Sequence, residues 1–138
     1  LTKSLTLVGY ADWEGQPADK DKLTAAGFLG LQKDILTCGL EGFVRINKNA
    51  AGASDVQVRG ISVFGSAKTS DRAKIFGRFD FYDPSDQGSN DREYLILAGL
   101  DIVPAKNIHI MPNIWAQAYQ ASGVGKDIVP RLTVYYKF

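Results

Sequence analysis

The side chains with the clearest chemical potential are charged groups spread along the chain. Guanidinium groups stay ionised and present fixed donors, so arginines that cluster would attract anions and orient dipolar solutes. Nearby carboxylates would balance part of that positive charge. The candidates are the basic residues Arg45, Arg59, Arg78 and Arg131 and the acidic residues Glu41, Asp80 and Asp101.

The sequence contains no visible catalytic constellation. Serine and histidine never come with a suitable third partner, and Gly123-Val124-Gly125-Lys126 lacks the length and the Ser/Thr of a phosphate-binding loop. Cys38 and His109 are the only residues of their types, so neither an internal disulfide nor a clustered zinc site is expected. We interpret Cys38 as a small apolar side chain and His109 as a polar lining residue. The sequence therefore predicts no enzyme, no cofactor and no metal.

Length and charge limit the alternatives further. The chain has 138 residues, 16 basic and 15 acidic side chains and a formal net charge of +1, which fits one domain spanning 1–138. That balance offers no basic surplus for nucleic acid. No run of about 18 apolar residues occurs, so a transmembrane helix is not expected. Residues 1–4 already alternate like a strand, so we expect that a signal peptide has been removed or that an N-terminal part is missing.

The elements that must position these side chains are β-strands. Apolar and polar residues alternate with period two in eight segments separated by Gly, Asp, Asn, Ser and Pro clusters, which predicts an all-β fold. The predicted strands are 4–13, 23–33, 35–47, 55–66, 72–83, 92–103, 106–119 and 128–138.

Successive strand side chains point to opposite faces, so each predicted strand divides into two sets. One set is apolar and free of charge, and the other contains all seven candidate residues. The fourth strand fits least well, because Ile61 and Val63 share the polar phase with Arg59. We expect a bulge at Gly60 to restore the pattern. Hairpin arithmetic then places Arg45, Arg59 and Arg78 side by side at similar height, as a basic row on adjacent strands.

Connections between the predicted strands alternate in length. Those at 14–21, 47–54, 84–91 and 120–127 are long and polar, whereas 33–34 and 104–106 are tight and 67–71 is intermediate. Long external loops, short periplasmic turns, an apolar outer band and a polar lumen are typical of bacterial outer-membrane barrels. An even strand number would place both termini in the periplasm. The alternative is a soluble barrel or sandwich with the apolar face inward, which could bind an apolar ligand.

Two stretches carry a resemblance to known families. The C-terminal residues Leu132, Val134, Tyr136 and Phe138 resemble the terminal β-signal of outer-membrane proteins, which implies recognition by the barrel-assembly machinery. Residues 77–84, 97–101 and 109–113 look like the C-terminal strands of phosphate-selective-porin-like proteins. That similarity covers about residues 72–138, and the barrels of that family are longer than this chain.

These observations predict an antiparallel, up-and-down transmembrane β-barrel of about eight strands. The eight strands either close alone or form the C-terminal half of a larger porin barrel. We expect a bacterial outer-membrane channel, surrounded by lipid, for passive diffusion of small solutes or ions with a mild anion preference. The alternative function is that of a closed eight-stranded structural or interaction barrel accompanying a larger complex. Homo-oligomer formation stays open.

Overall fold

The computed structural model describes residues 4–88 and 91–138 and consists of one antiparallel sheet. The eight strands lie in sequence order, each paired with the next, so the all-β, up-and-down prediction is confirmed. Residues 1–3 and 89–90 belong to the predicted N-terminal segment and the predicted 84–91 connection, and they lie outside the described residues. The strands are β1 Ser4–Glu14, β2 Lys22–Lys33, β3 Leu36–Ala51, β4 Ser54–Ser70, β5 Ala73–Asp83, β6 Glu93–Ala105, β7 Ile108–Tyr119 and β8 Asp127–Tyr136.

The register separates the sheet into two chemically distinct faces, because directly paired residues lie on the same face. One cross-strand row of partners is apolar on every strand, and we call its side of the sheet the apolar face. The next row along the strands defines the polar face. The apolar row is Leu7, Leu29, Leu40, Val63, Phe79, Ile96, Ala116 and Ile128. The polar-face row is Val8, Phe28, Glu41, Ser62, Asp80, Leu95, Gln117 and Asp127.

The expected bulge at Gly60 is wrong. The β3–β4 register runs without interruption from Leu36 opposite Ala67 to Asn47 opposite Val56, with Gly60 opposite Phe43. Strand β4 therefore keeps one phase, so Ile61 and Arg59 both lie on the apolar face. The two apolar side chains Ile61 and Val63 outweigh the one charge of Arg59, provided that the charge finds a partner.

The alternation of long and short connections is broken at one position. The predicted long connection 47–54 is a tight hairpin, because β3 continues to Ala51 and β4 begins at Ser54. A register irregularity lies between Asn47 and Ala51, and Gly52 takes a positive φ of 70° in the turn. Gly at the first position of a two-residue loop suits such a hairpin turn. Longer connections remain after β1, β5 and β7, where β1 is followed by the short 3-10 helix Pro17–Asp19.

The sheet is a single open layer. Strand β1 pairs with β2 and β8 pairs with β7, and these two strands form the edges of the sheet across residues 4–88 and 91–138. A barrel closed by these eight strands is therefore not formed. In the described part of the chain, Val58 is the only buried large hydrophobic residue, with 3% of its surface exposed. The apolar face thus lacks the second layer that a soluble sandwich would provide.

On the polar face, phenylalanine rings cover glycines of neighbouring strands. A methyl group added at Gly60 would come within 2.5 Å of the Phe43 ring, and one at Gly39 would meet Phe64 at 2.6 Å and Phe28 at 3.0 Å. The rings of Phe28 and Phe64 stack 6.1 Å apart. These rings lie against the backbone and anchor the sheet on the side where it is otherwise polar.

Gly99 offers a test of this packing, because an added methyl would meet Phe76 at 2.6 Å, Asn113 Cβ at 2.7 Å and the Pro112 carbonyl oxygen at 2.7 Å. We expect Gly99→Ala to lower the free energy of unfolding by about 1–3 kcal/mol, as overpacking does. Urea unfolding followed by tryptophan fluorescence measures the change. Gly27→Ala is the matched control, because nothing lies within 4 Å of its added methyl. Equal stability of the two variants would contradict the covering role.

Candidate functional site

The centre of the polar face holds a cluster of hydrogen-bonding and charged side chains on β3, β4 and β5. Glu41, Ser62 and Asp80 are direct cross-strand neighbours in one row. Arg78 lies two residues from Asp80 on β5, and its Nε donates to both carboxylate oxygens of Asp80 at 2.8 Å. We call these four residues the polar cluster. The cluster lines a hollow of about 300 Å³ together with the ring of Tyr82.

Two groups on this face have unused hydrogen-bonding capacity. Ser62 is 8% exposed, and its buried Oγ has no hydrogen-bond partner among residues 4–88 and 91–138. The same holds for the buried Nε of Arg45. Buried polar atoms normally find a partner in protein or water. Because both atoms are closed off from solvent, they gain a partner only if neighbouring side chains shift.

The other predicted polar residues lie on the same face but away from the polar cluster. Oδ1 of Asp101 lies 2.7 Å from Nδ1 of His109 and accepts its N–H, and the His109 ring meets Tyr135 edge-on at 5.8 Å. Arg131 lies over the ring of Trp115 with its guanidinium carbon 4.9 Å from the ring centre. His109 is thus paired with a carboxylate, and Arg131 is held by a cation–π contact.

The predicted row of three arginines is not formed. Arg45 and Arg78 lie on the polar face, whereas Arg59 pairs with Val44 and Asp83 on the apolar face. Arg45 is opposite Val58 and Arg78 is opposite Phe64, positions that are about 20 Å apart along β4 at the rise of a strand. The prediction failed because it kept Arg59 on the polar face through a bulge at Gly60, and because the β4–β5 register places Asp83, not Arg78, opposite Arg59.

Sequence reasoning missed a charged row at the end of the apolar face. Asp83 is 2% exposed, and its Oδ2 accepts hydrogen bonds from Arg59 Nη2 at 2.9 Å and Nε at 3.1 Å. Arg92 Nε reaches the same oxygen at 3.3 Å. We call these three residues the arginine–aspartate row. The uninterrupted period-two phase of Ile61 and Val63 is the signal that would have placed Arg59 on the apolar face.

The residues that resemble an assembly signal lie on the free edge strand. Leu132, Val134 and Tyr136 alternate along β8 on the apolar face, and all three are exposed. Phe138 follows the end of β8, and its ring lies 6.1 Å from that of Tyr136. Cys38, interpreted from the sequence as apolar, is a free thiol and lies on the apolar face of β3 with Leu40.

The arrangement favours non-covalent chemistry. Within the described ranges, no group of three or more His, Cys, Asp or Glu side chains is arranged to hold a metal ion. Residues 4–88 and 91–138 contain no helix that is long and apolar enough to cross a membrane. What the polar cluster can do is exchange hydrogen bonds with water, ions or small polar solutes.

Comparison with protein-family models, with curated proteins and with solved structures found no match to this chain. The two faces of the sheet and the side chains that they carry are therefore the features that bear on function.

The two aspartates of β5 that form ion pairs, Asp80 and Asp83, give a test of burial. The Asp83 side chain is 3% exposed and forms ion pairs with two arginines, whereas the Asp80 side chain is 23% exposed and pairs with one. We expect Asp83→Asn to destabilise the fold about twofold more than Asp80→Asn, because the covered Asp83 carboxylate accepts hydrogen bonds from two arginines, whereas a more exposed pair contributes little. Urea unfolding of both variants measures the difference. Equal losses would show that the arginine–aspartate row contributes no more than an exposed pair.

Proposed function

We propose that this sheet forms part of the wall of an outer-membrane β-barrel channel for passive diffusion of small solutes or ions. The observation that carries the proposal is the division of an uncovered sheet into a continuous apolar face and a polar face. In a transmembrane barrel of this kind, the first face contacts lipid and the second lines the lumen.

The apolar face has the chemistry that a lipid environment requires. Its central row contains Leu40, Val63 and Ile96 with no charge, and each of these side chains is exposed. The strands have 10 to 17 residues, and a tilted strand needs about 9–11 to cross the hydrocarbon core. Because each is only about half exposed, covering one such aliphatic side chain with lipid is worth roughly 0.7–1.5 kcal/mol.

The polar face carries the hydrogen-bonding and charged groups expected in the wall of a water-filled lumen. The polar cluster contributes hydrogen-bonding groups at mid-height, and Gln117 donates to Glu93 at 3.0 Å on the neighbouring strands β6 and β7. The side chains of Arg78 and Asp80 are 44% and 23% exposed, so water in a lumen can hydrate both charged groups. A dry interior would leave them without that hydration.

The open edges favour a barrel wider than these eight strands. Unpaired edge groups of β1 and β8 cannot stay exposed within a bilayer, because lipid offers no hydrogen bonds. Further strands, from a longer protein or from a second copy, would pair with them. A wider barrel leaves room for an aqueous channel, whereas eight strands alone enclose an interior filled by side chains.

A strong anion preference does not follow from this arrangement. Arg78 is paired with Asp80, Arg131 lies over Trp115, and Glu41 stands on the same face as Arg45. We therefore expect a channel of weak charge selectivity, in which both signs contribute along the wall. The arginine–aspartate row lies on the other face and does not act on the lumen.

Adjacent residues on β3 test both the membrane orientation and the channel. In a Cys38→Ser background, we expect a charged, water-soluble thiol reagent to react with Glu41→Cys at least about tenfold faster than with Leu40→Cys, because an apolar environment suppresses the thiolate. In planar bilayers, the same reagent should change the conductance of the Glu41→Cys channel and leave that of Leu40→Cys unchanged.

The two variants are matched, since they are neighbours on one strand and differ in face. Equal labelling of both thiols would remove the lipid-facing assignment. Clear labelling of Glu41→Cys in a protein that inserts but carries no current would remove the channel and leave a structural role for the barrel.

A second test concerns assembly. Leu132, Val134 and Tyr136 are exposed on the edge strand β8, where an assembly machine could reach both side chains and backbone. We expect deletion of Phe138 to reduce membrane insertion in cells much more than folding into detergent, because Phe138 follows the strand and makes few packing contacts. Heat-modifiable mobility in gels reports folding, and membrane fractionation reports insertion. Normal insertion of the shortened chain would contradict the assembly role.

A further inference from the structure

The arginine–aspartate row is an unusual feature on an otherwise apolar face. Arg59 on β4 is the cross-strand partner of Asp83 on β5. Arg92, the residue before β6, reaches the same carboxylate. Two guanidinium groups share one carboxylate, so the row carries one positive charge in excess. The Arg59 and Arg92 side chains are 47% and 42% exposed, whereas Asp83 is almost fully covered. The excess charge is therefore available to a ligand.

An apolar groove leads away from this row across β2 and β3. Gly27 and Gly42 are direct partners on the apolar face and form its floor, with Ile61 at one end. Arg59 lines the same hollow, whose volume is about 390 Å³ and which continues over Leu29 and Leu40 into a second hollow of about 360 Å³. A methyl group added at Gly27 would meet nothing within 4 Å, so the floor is open.

We propose that the arginine–aspartate row and the adjoining groove bind one anionic, phosphate-bearing membrane lipid. The phosphate would accept hydrogen bonds from Arg59 and Arg92, and an acyl chain would lie in the groove over Gly27 and Gly42. Arginine suits this role because its planar donors match the geometry of phosphate oxygens. This inference rests on the proposed function, in which the apolar face contacts lipid.

Charge complementarity favours a lipid over a second copy of the chain. A second copy that pressed its own apolar face against this groove would need a free carboxylate to balance Arg59 and Arg92. On that side of the sheet, Asp83 is already shared by both arginines, and the same patch of a second copy would bring two further arginines against this one. An anionic lipid supplies both the missing charge and the apolar chain.

Native mass spectrometry of the folded protein, released from vesicles of phosphatidylglycerol mixed with phosphatidylcholine, tests the proposal. We expect one phosphatidylglycerol to stay bound preferentially. Arg92→Gln should weaken that binding about fivefold, the effect of one basic residue near a membrane surface, while Arg59 keeps Asp83 paired. Arg72→Gln is the matched charge control, because Arg72 is exposed in the turn between β4 and β5.

The groove has its own test. Gly27→Val should fill the acyl-chain position and weaken phosphatidylglycerol binding, whereas Gly9→Val should not. Both glycines lie in one row of the apolar face and have room for a side chain, but Gly9 lies outside the hollow that Arg59 lines. Both variants should fold, so a loss confined to Gly27→Val reports the groove.

The outcomes separate this inference from the proposed function. Insertion into vesicles with equal retention of both lipids, or equal losses in Arg92→Gln and Arg72→Gln, would overturn the lipid site and leave the channel proposal standing. Displacement of the lipid by inorganic phosphate alone, or a dimer in place of bound lipid, would also overturn it. Failure of the folded protein to enter any vesicle would remove the proposed function and the lipid site together.

Discussion

One constraint governs the structure: in the part of the chain that is described, no second layer of protein covers the apolar face. In a soluble β-protein, two faces pack together and bury their apolar residues in one core. Here a single sheet presents Leu29, Leu40 and Ile96 outward, and Val58 is the only large hydrophobic residue buried within the described part of the chain. Because water makes such a face costly, something apolar must cover it. Every functional inference follows from that requirement.

The same requirement explains what could be predicted from the sequence. A face that must stay apolar on every strand imposes a strict period of two, so the eight strands and most of their faces were predictable from alternation alone. Glu41, Asp80 and Asp101 fall on the predicted side because their strands carry several residues that agree in phase. Because the residues within each of these strands agree in phase, the faces of these three side chains could be predicted.

The errors arose where one charge opposed several apolar residues. On β4, treating Arg59 as polar required a bulge at Gly60, but Ile61 and Val63 keep the strand in phase and Arg59 pairs with Asp83 instead. No local pattern in 55–66 indicates that partner, since it lies on another strand. The tight β3–β4 hairpin was missed because Asn47, Lys48 and Asn49 resemble a loop, although β3 continues through them to Ala51.

Glycines of the polar face lie against aromatic rings, whereas nothing lies within 4 Å of a methyl added at Gly9 or Gly27 of the apolar face. This difference bears on how an open lumen would be maintained. On the polar face, rings such as Phe43 and Phe64 lie flat over Gly60 and Gly39. The guanidinium carbon of Arg78 lies 5.8 Å from the centre of the Phe64 ring, and Arg131 lies on Trp115. Cations that rest on rings stay close to the wall. Long side chains lying along the wall in this way would leave the middle of a wide barrel to water, so the aromatic layer on the polar face is itself part of the case for a channel.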